Sequence, residues 1–224
     1  MNLALTEKQK QIHLLKNFNI QTPPIKINVD VFEKNSLKII GDTQLQLRGG
    51  KIGAQELDYP WGIDLQNKEG KNFLNYQTQS IQNFYNLEIE HLQDNGYLFM
   101  WTVAQQLIQA TAFMQGKGYR VVDSVVWIKE GKHSKFKNRM GFHLRHNKVV
   151  CLVGLKGTPP AGIQPFTASD IIKSIPGKNS KKPREIKDII KTLLPNEYYC
   201  EVFAGDNNVC EEFVSIGNEL TTPD

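Results

Sequence analysis

The chain has 224 residues, 40% of them hydrophobic and 22% charged, which suffices to bury one sizeable core and leaves no room for a second. That balance excludes disorder along most of the length, and the formal charge of +4 permits an anionic partner without demanding one. Cys151, Cys200 and Cys210 are an odd number at spacings that match no zinc site, and MNLALTEKQKQIHLL carries no apolar leader run, so an intracellular, reducing location is expected. The longest apolar stretches, Leu98 to Val103 and Val149 to Leu155, fall far short of the ~20 residues a membrane span needs.

Thr6 to Asn17 reads as a surface helix behind a capping threonine, broken by Pro23-Pro24. Two alternating segments, IKINVDVF and LKIIGDTQLQL, then read as strands ending at Gly49-Gly50. Residues 1–50 are therefore expected to form an N-terminal extension, and residues 51–224 the main domain.

From Leu87 onward, apolar strand runs alternate with helical stretches, the pattern of a doubly wound α/β sheet. Tyr97 to Val103 reads as a buried strand after the turn Asp94-Asn95-Gly96. Ala104 to Met114 reads as a helix with Leu107, Ile108, Ala112 and Phe113 inward, ended by Gly116 and Gly118. Tyr119 to Ile128 and Val149 to Leu155 are two more strands, separated by a long polar loop. Pro183 to Leu194 is a helix with Ile186, Ile189, Ile190 and Leu193 at helical spacing, and Tyr199 to Ala204 and Phe213 to Ile216 supply the last strands.

Three places carry residue types with chemical potential. Asp58-Tyr59-Pro60-Trp61 joins a carboxylate to a proline turn and an aromatic ring. An enzyme that methylates an exocyclic amine needs such a set: the acid and a neighbouring carbonyl accept the amine hydrogens, and the ring stacks on the base. A turn with a buried tryptophan is the other reading of the same four residues. The second place is YCEVFAG followed by FVSIGNE, a strand, loop and strand ending in Glu219, the position of an acid that hydrogen-bonds ribose hydroxyls in nucleotide-binding sheets. A plain structural strand pair would look alike, since Gly205 stands alone in the turn.

The third is Lys129 to Lys148, with seven lysines and arginines against one glutamate, a net +6 that leaves the rest of the chain at −2. Lys132, Lys135, Lys137, Arg139, Arg145 and His146, interleaved with Phe136 and Phe142, suit phosphate contact and base stacking, against the alternative of a solvated charge run. Its histidines lack the cysteine or acid that would complete a metal site.

Together these pieces resemble the MT-A70-like (mRNA adenosine methylase, MTA-type) family of N6-adenine methyltransferases, over roughly Gly53 to Leu220. The matching stretches are DYPWGI, LQDNGYLFMWTV, GYRVVDSVVWIK, HNKVVCLVGLKG, SKKPREI, and EVFAG followed by IGNEL. The resemblance implies a Rossmann-like class I methyltransferase fold with permuted motif order, the catalytic motif preceding the cofactor strand. It also implies S-adenosylmethionine as donor. Carried over, Asp58, Pro60 and Trp61 face the target adenine and the donor, with Tyr59 where the family has the first proline of Asp-Pro-Pro-Trp. Lys182 takes the donor carboxylate, and Asn207, Asn208, Asn218 and Glu219 take ribose and adenine.

Three departures stand out. Tyr59 is expected to put a bulky ring beside the carbonyl that should receive the amine, Gly205 replaces a donor-binding arginine, and KIGAQEL is polar where active members have an apolar strand. The expectation is a non-catalytic subunit, like the partner in the ciliate DNA-adenine methyltransferase complex. Such a subunit would pair with a catalytic relative and help hold DNA or RNA in the nucleus; the alternative is an active N6-adenine methyltransferase.

Overall fold

The computed structural model describes residues 25–48, 52–61, 79–131, 143–177 and 181–221. The helix expected over residues 6–17, and Lys132, Lys135, Lys137 and Arg139 of the basic loop, lie outside the described residues.

In chain order the elements are β1 (Lys26–Asn28), α1 (Ser36–Arg48), β2 (Ala54–Leu57), α2 (Ile81–Tyr85), β3 (Gly96–Thr102), α3 (Leu107–Gly116), β4 (Tyr119–Lys129), β5 (Lys148–Lys156), β6 (Ile171–Ser174), α4 (Glu185–Leu193), β7 (Tyr199–Val202) and β8 (Phe213–Gly217). The strands form one eight-stranded sheet in the order β1-β8-β7-β2-β3-β5-β4-β6. β5 runs antiparallel to both β3 and β4, and every other pair is parallel. This is the doubly wound, Rossmann-like α/β sheet expected from the alternation of apolar runs and helices. β1 pairs with β8, so Lys26 to Asn28 belong to the same sheet as the rest of the chain.

Every residue of β2, β3, β7 and β8 is buried. A strand covered on both faces needs apolar side chains on both, which is why YLFMWT reads as a continuous run. Leu98 and Met100 join one apolar cluster with Leu57, Val202, Phe84 and Phe113, under α1, α2 and α3. Phe99 and Trp101 join the other with Ile186, Ile190 and Phe213, under α4.

Two sequence expectations are corrected. Residues 36–48 form a helix, not a strand. Leu37 and Ile40, one helical turn apart, are its buried face, and an added Cβ on Gly41 would lie 2.2 Å from the His91 carbonyl oxygen. Only a helix with a glycine there approaches the 3-10 turn Ile89–His91 so closely, and this packing overrides the strand-like alternation. In α3 the inward residues are Ala110, Phe113 and Met114, while Leu107 and Ile108 are exposed, Ile108 to 81%. The 3-10 turn Ala104–Gln106 precedes the helix and sets its rotation, so the apolar stripe begins one turn later than the sequence suggests.

Phe84 is completely buried, with ring centroids 4.8 Å from Tyr59, 4.6 Å from Trp61 and 4.1 Å from Phe113. Phe84→Ala should cost about 3–5 kcal/mol in urea denaturation, whereas Ile108→Ser should stay within about 0.5 kcal/mol.

Candidate functional site

From β7 the chain continues to β8 on one side, and from β2 it continues to β3 on the other, yet β7 and β2 are neighbours. Their carboxyl ends form the switch point at which open α/β sheets bind ligands. Two segments emerge there: Asp58-Tyr59-Pro60-Trp61 after β2, and Phe203-Ala204-Gly205 after β7.

Side-chain alternation divides the first segment between two faces of the sheet. Leu57 and Tyr59 point into the cluster under α1, α2 and α3, and Asp58 lies on the other side with Glu56. Both oxygens of Asp58 accept from Lys182 Nζ at 2.6 Å, and that ammonium lies 5.9 Å from the centroid of the Trp101 ring. Lys182 stands just ahead of α4, so the ion pair ties β2 to the helix entrance. An adjacent ammonium and carboxylate complement the charges of an α-amino-acid end such as that of S-adenosylmethionine.

The expected position of Tyr59 beside the pocket carbonyl is not what forms. Its ring is 2% exposed and packs against Trp61 at 5.0 Å, Phe84 at 4.8 Å and Phe203 at 5.5 Å. Its hydroxyl donates to the Ser80 carbonyl at 2.6 Å, and burial pushes its pKa up to about 12. Trp61 is 6% exposed, and its indole N–H donates to the Trp101 carbonyl at 3.1 Å. Both aromatic members of the tetrapeptide are thus part of the core.

At the end of β7, Phe203 adopts a left-handed backbone conformation, φ +68°. A phenylalanine seldom takes that conformation, and here it turns the ring onto Phe32 and Tyr59 at 5.5 Å each. Gly205 then bridges to Glu219. A Cβ added at Gly205 would meet Asn207 Oδ1 and Glu219 Oε2 at 3.7 Å, ordinary contact, so the site has room for a side chain there. Asn207, Asn218 and Glu219 are exposed around this turn, and Asn208 is half-buried. Asp206 accepts from Lys26 at 2.8 Å and from the Thr221 amide at 3.0 Å, which fastens the turn to β1 and to the segment after β8.

Behind the turn lies a set of charges that sequence reasoning did not single out. Glu56 and Glu201 face each other in register on β2 and β7, and Lys187 of α4 is buried between them, 3.3 Å from Glu56 Oε2 and 2.5 Å from Glu201 Oε2. Trp101 Nε1 donates to Glu56 Oε1 at 3.0 Å, Asn208 Nδ2 donates to Glu201 Oε1 at 2.5 Å, and Lys187 also donates to the Asn208 carbonyl at 3.1 Å. Burial opposes the charge on Lys187, but Glu56 and Glu201 outweigh it and hold its pKa above the ordinary lysine value. A lysine and a glutamate at positions where an apolar stripe and an apolar strand were expected were the only available signals.

Arg145 and His146 are exposed immediately before β5. Among the described residues no group of three His, Cys, Asp or Glu is placed to hold a metal ion, and no helix is long and apolar enough to cross a membrane.

Residues 57–219 match the MT-A70 family model. The human N(6)-adenosine-methyltransferase catalytic subunit METTL3 is 31% identical over 173 residues, covering 76% of this chain and 28% of the human protein. The Drosophila melanogaster N(6)-adenosine-methyltransferase MT-A70-like protein is 30% identical over 173 residues, covering 76% and 27%. The Arabidopsis thaliana N(6)-adenosine-methyltransferase MT-A70-like protein is 28% identical, covering 76% and 24%. The matched stretch thus spans about a quarter of the relatives' length.

Tyr59 gives a direct check on the division of the tetrapeptide. Tyr59→Phe removes the bond to Ser80 and should cost about 1 kcal/mol, and Tyr59→Ala, which opens a cavity among Trp61, Phe84 and Phe203, about 3–5 kcal/mol, both read from denaturant midpoints.

Proposed function

The chain belongs to the MT-A70 family of methyltransferases, and we propose that within it this protein is a non-catalytic, methyltransferase-like subunit that supports an active relative and helps hold nucleic acid. One observation carries the reading: the tetrapeptide is spent on structure. Lys182 occupies both oxygens of Asp58, the acceptor that a target amine would use, and the Trp61 ring is covered by Tyr59 and Phe84 and offers no face to a base. The donor side is also short of a cation, since Gly205 stands where the family resemblance places an arginine. Asn207, Asn208, Asn218 and Glu219 line the adenosine end of what remains of the pocket. The basic segment from Lys132 to His146 is the assigned nucleic-acid contact, and a nuclear location goes with that role.

A second reading, an active S-adenosylmethionine-dependent N6-adenine methyltransferase, is favoured by a different observation. The Tyr59 ring lies in the core, on the face of β2 opposite Asp58, and the Asp58–Lys182 pair matches the amino-acid end of the donor. Donor binding would convert that pair from a mutual contact into two ligand contacts, with Asp58 taking the ammonium and Lys182 the carboxylate.

The two readings separate in calorimetry and in the assembled complex. The isolated chain should give no saturable heat with S-adenosylmethionine; a micromolar dissociation constant, about −8 kcal/mol, overturns the non-catalytic reading. Asp58→Ala, co-purified with its catalytic relative, should leave methylation within about twofold of wild type, whereas a loss of ~100-fold or more assigns the chemistry to this chain.

Charge removal tests the nucleic-acid role. Substituting alanine for Lys135, Lys137 and Arg139 should reduce the salt dependence of nucleic-acid binding by about three units of slope; an unchanged slope takes that role from the loop.

A further inference from the structure

The cluster behind the pocket has an electrostatic deficit. Glu56, Glu201 and Lys187 are 0%, 3% and 1% exposed, and two carboxylates with one ammonium leave one net negative charge in a dry site. Isolated buried charge is far more costly than a bound proton, so a pair of facing acids of this kind takes one up between them. The hydrogen bonds around the two carboxylates are unevenly distributed. Glu56 Oε1 accepts from Trp101 and both oxygens of Glu201 accept from neighbours, but Glu56 Oε2 has no hydrogen-bond partner, only the lysine charge at 3.3 Å.

We propose that the Glu56–Lys187–Glu201 cluster holds one shared proton, and that losing it opens the Asp206–Asn208 turn at the mouth of the site. The turn is the relief valve because it is the wettest side of the cluster. β2, β7 and α4 close the other sides with buried residues, while Asn208 is half-buried and Asn207 exposed. Among the described residues, Asn208 is held by this cluster's two contacts, to Glu201 and from Lys187, together with its backbone bond to Gly205. When the net charge appears, water gains most by entering where the turn lifts away.

Among the described residues, the surroundings do not supply another countercharge. The titratable groups facing the cluster are Cys151 on β5 and Cys210 before β8. Burial first, then Glu56 and Asp58, push the Cys151 thiol well up, and burial then Glu212 push up that of Cys210, so both stay neutral. Ser215 on β8 is in register with Glu201, and Lys26 on β1 is in register with Ser215 but bonded to Asp206. Lys182, further along the same face, is engaged by Asp58.

Burial, then the charge of Glu56, raise Glu201 from 4.5 to about 7, which sets the sign. In the unfolded chain the same carboxyl ionises near its ordinary value. Folding at neutral pH therefore takes up a proton: the stability the proton confers is complete below about pH 5, falls as pH rises to 7, and is lost above it.

The test uses the full chain and Glu56→Gln, which keeps an oxygen for the Trp101 indole and cancels the deficit. Amide hydrogen exchange is measured at pH 6 and pH 8 and corrected for the base-catalysed rate. Protection of the Asn208 amide, which donates to the Gly205 carbonyl, should fall about tenfold in wild type and stay level in Glu56→Gln. Equal pH response in the two proteins, or no fall in wild type, overturns the proposal. Should the variant fold poorly, wild-type calorimetry in buffers of different ionisation enthalpy is decisive. Release of about one proton on unfolding at pH 6 supports the shared proton, and release of fewer than about 0.3 overturns it.

Discussion

The organisation of this protein turns on two parallel strands, β2 and β7, that lie side by side with no water on either face. Each side chain on them must be apolar or held by a polar partner. Leu57, Cys200 and Val202 meet the first condition. Gln55 meets the second by donating to Tyr119 at 2.9 Å and Gln93 at 3.0 Å, and Glu56 and Glu201 meet it through Lys187. The polarity of AQEL does not stop it from forming a central strand, because each of its polar side chains has a partner on a neighbouring element, though Gln55 Oε1 and Glu56 Oε2 accept no hydrogen bond. The partners also fix that strand in register: a slip by one residue would carry Glu56 to the apolar face, away from Lys187 and the Trp101 indole.

The same alternation decides what the tetrapeptide after β2 can do. Extended backbone throws Asp58 to the face shared with Glu56 and Tyr59 to the face shared with Leu57. The tyrosine is drawn into a cluster of Phe32, Trp61, Phe84 and Phe203 that joins β2, α2 and the turn after β7. Phe203 completes that cluster by accepting a left-handed backbone, a strain borne by the ring contacts it secures. A proline at position 59 could not make these contacts, so the substitution that looked like damage to a pocket is also a gain of core packing.

How far the sequence revealed this follows from which signals are local. β3 and β8 announce themselves as continuous apolar runs because they are buried on both faces, β4, β5 and β7 are legible from their share of β-branched and other apolar residues, and Gly96 marks the turn into β3 with φ +139°. α1 was misread because Leu-Lys-Ile-Ile alternates over the few residues that decide the matter, and the glycine contact with His91 that favours the helix comes from 50 residues away. β2 and β6 are four residues each, too short to carry a period. The residues around the switch point were recognisable by type and order. The Asp58–Lys182 pair, separated by 124 positions, and the Glu56–Lys187–Glu201 set were not, because their meaning lies wholly in three-dimensional pairing.

The Asp58–Lys182 pair also limits what residue identity can say about activity. Both groups are partly buried, and each compensates the other at the end of a strand whose interior is dry. Removing either one would leave a charge with poor access to water, which is costlier than the pair itself is favourable. Selection for folding alone is therefore enough to retain an acid and a lysine at these positions, whether or not a donor ever separates them. Asp58, Trp61 and Lys182 each have a structural reason to be present, in an ion pair, a ring cluster and a helix entrance respectively. The exposed positions are Asn207, Asn218 and Glu219, whose side chains are not spent on the core. Evidence of a working site has to come from them, or from a ligand that opens the ion pair, and not from the tetrapeptide.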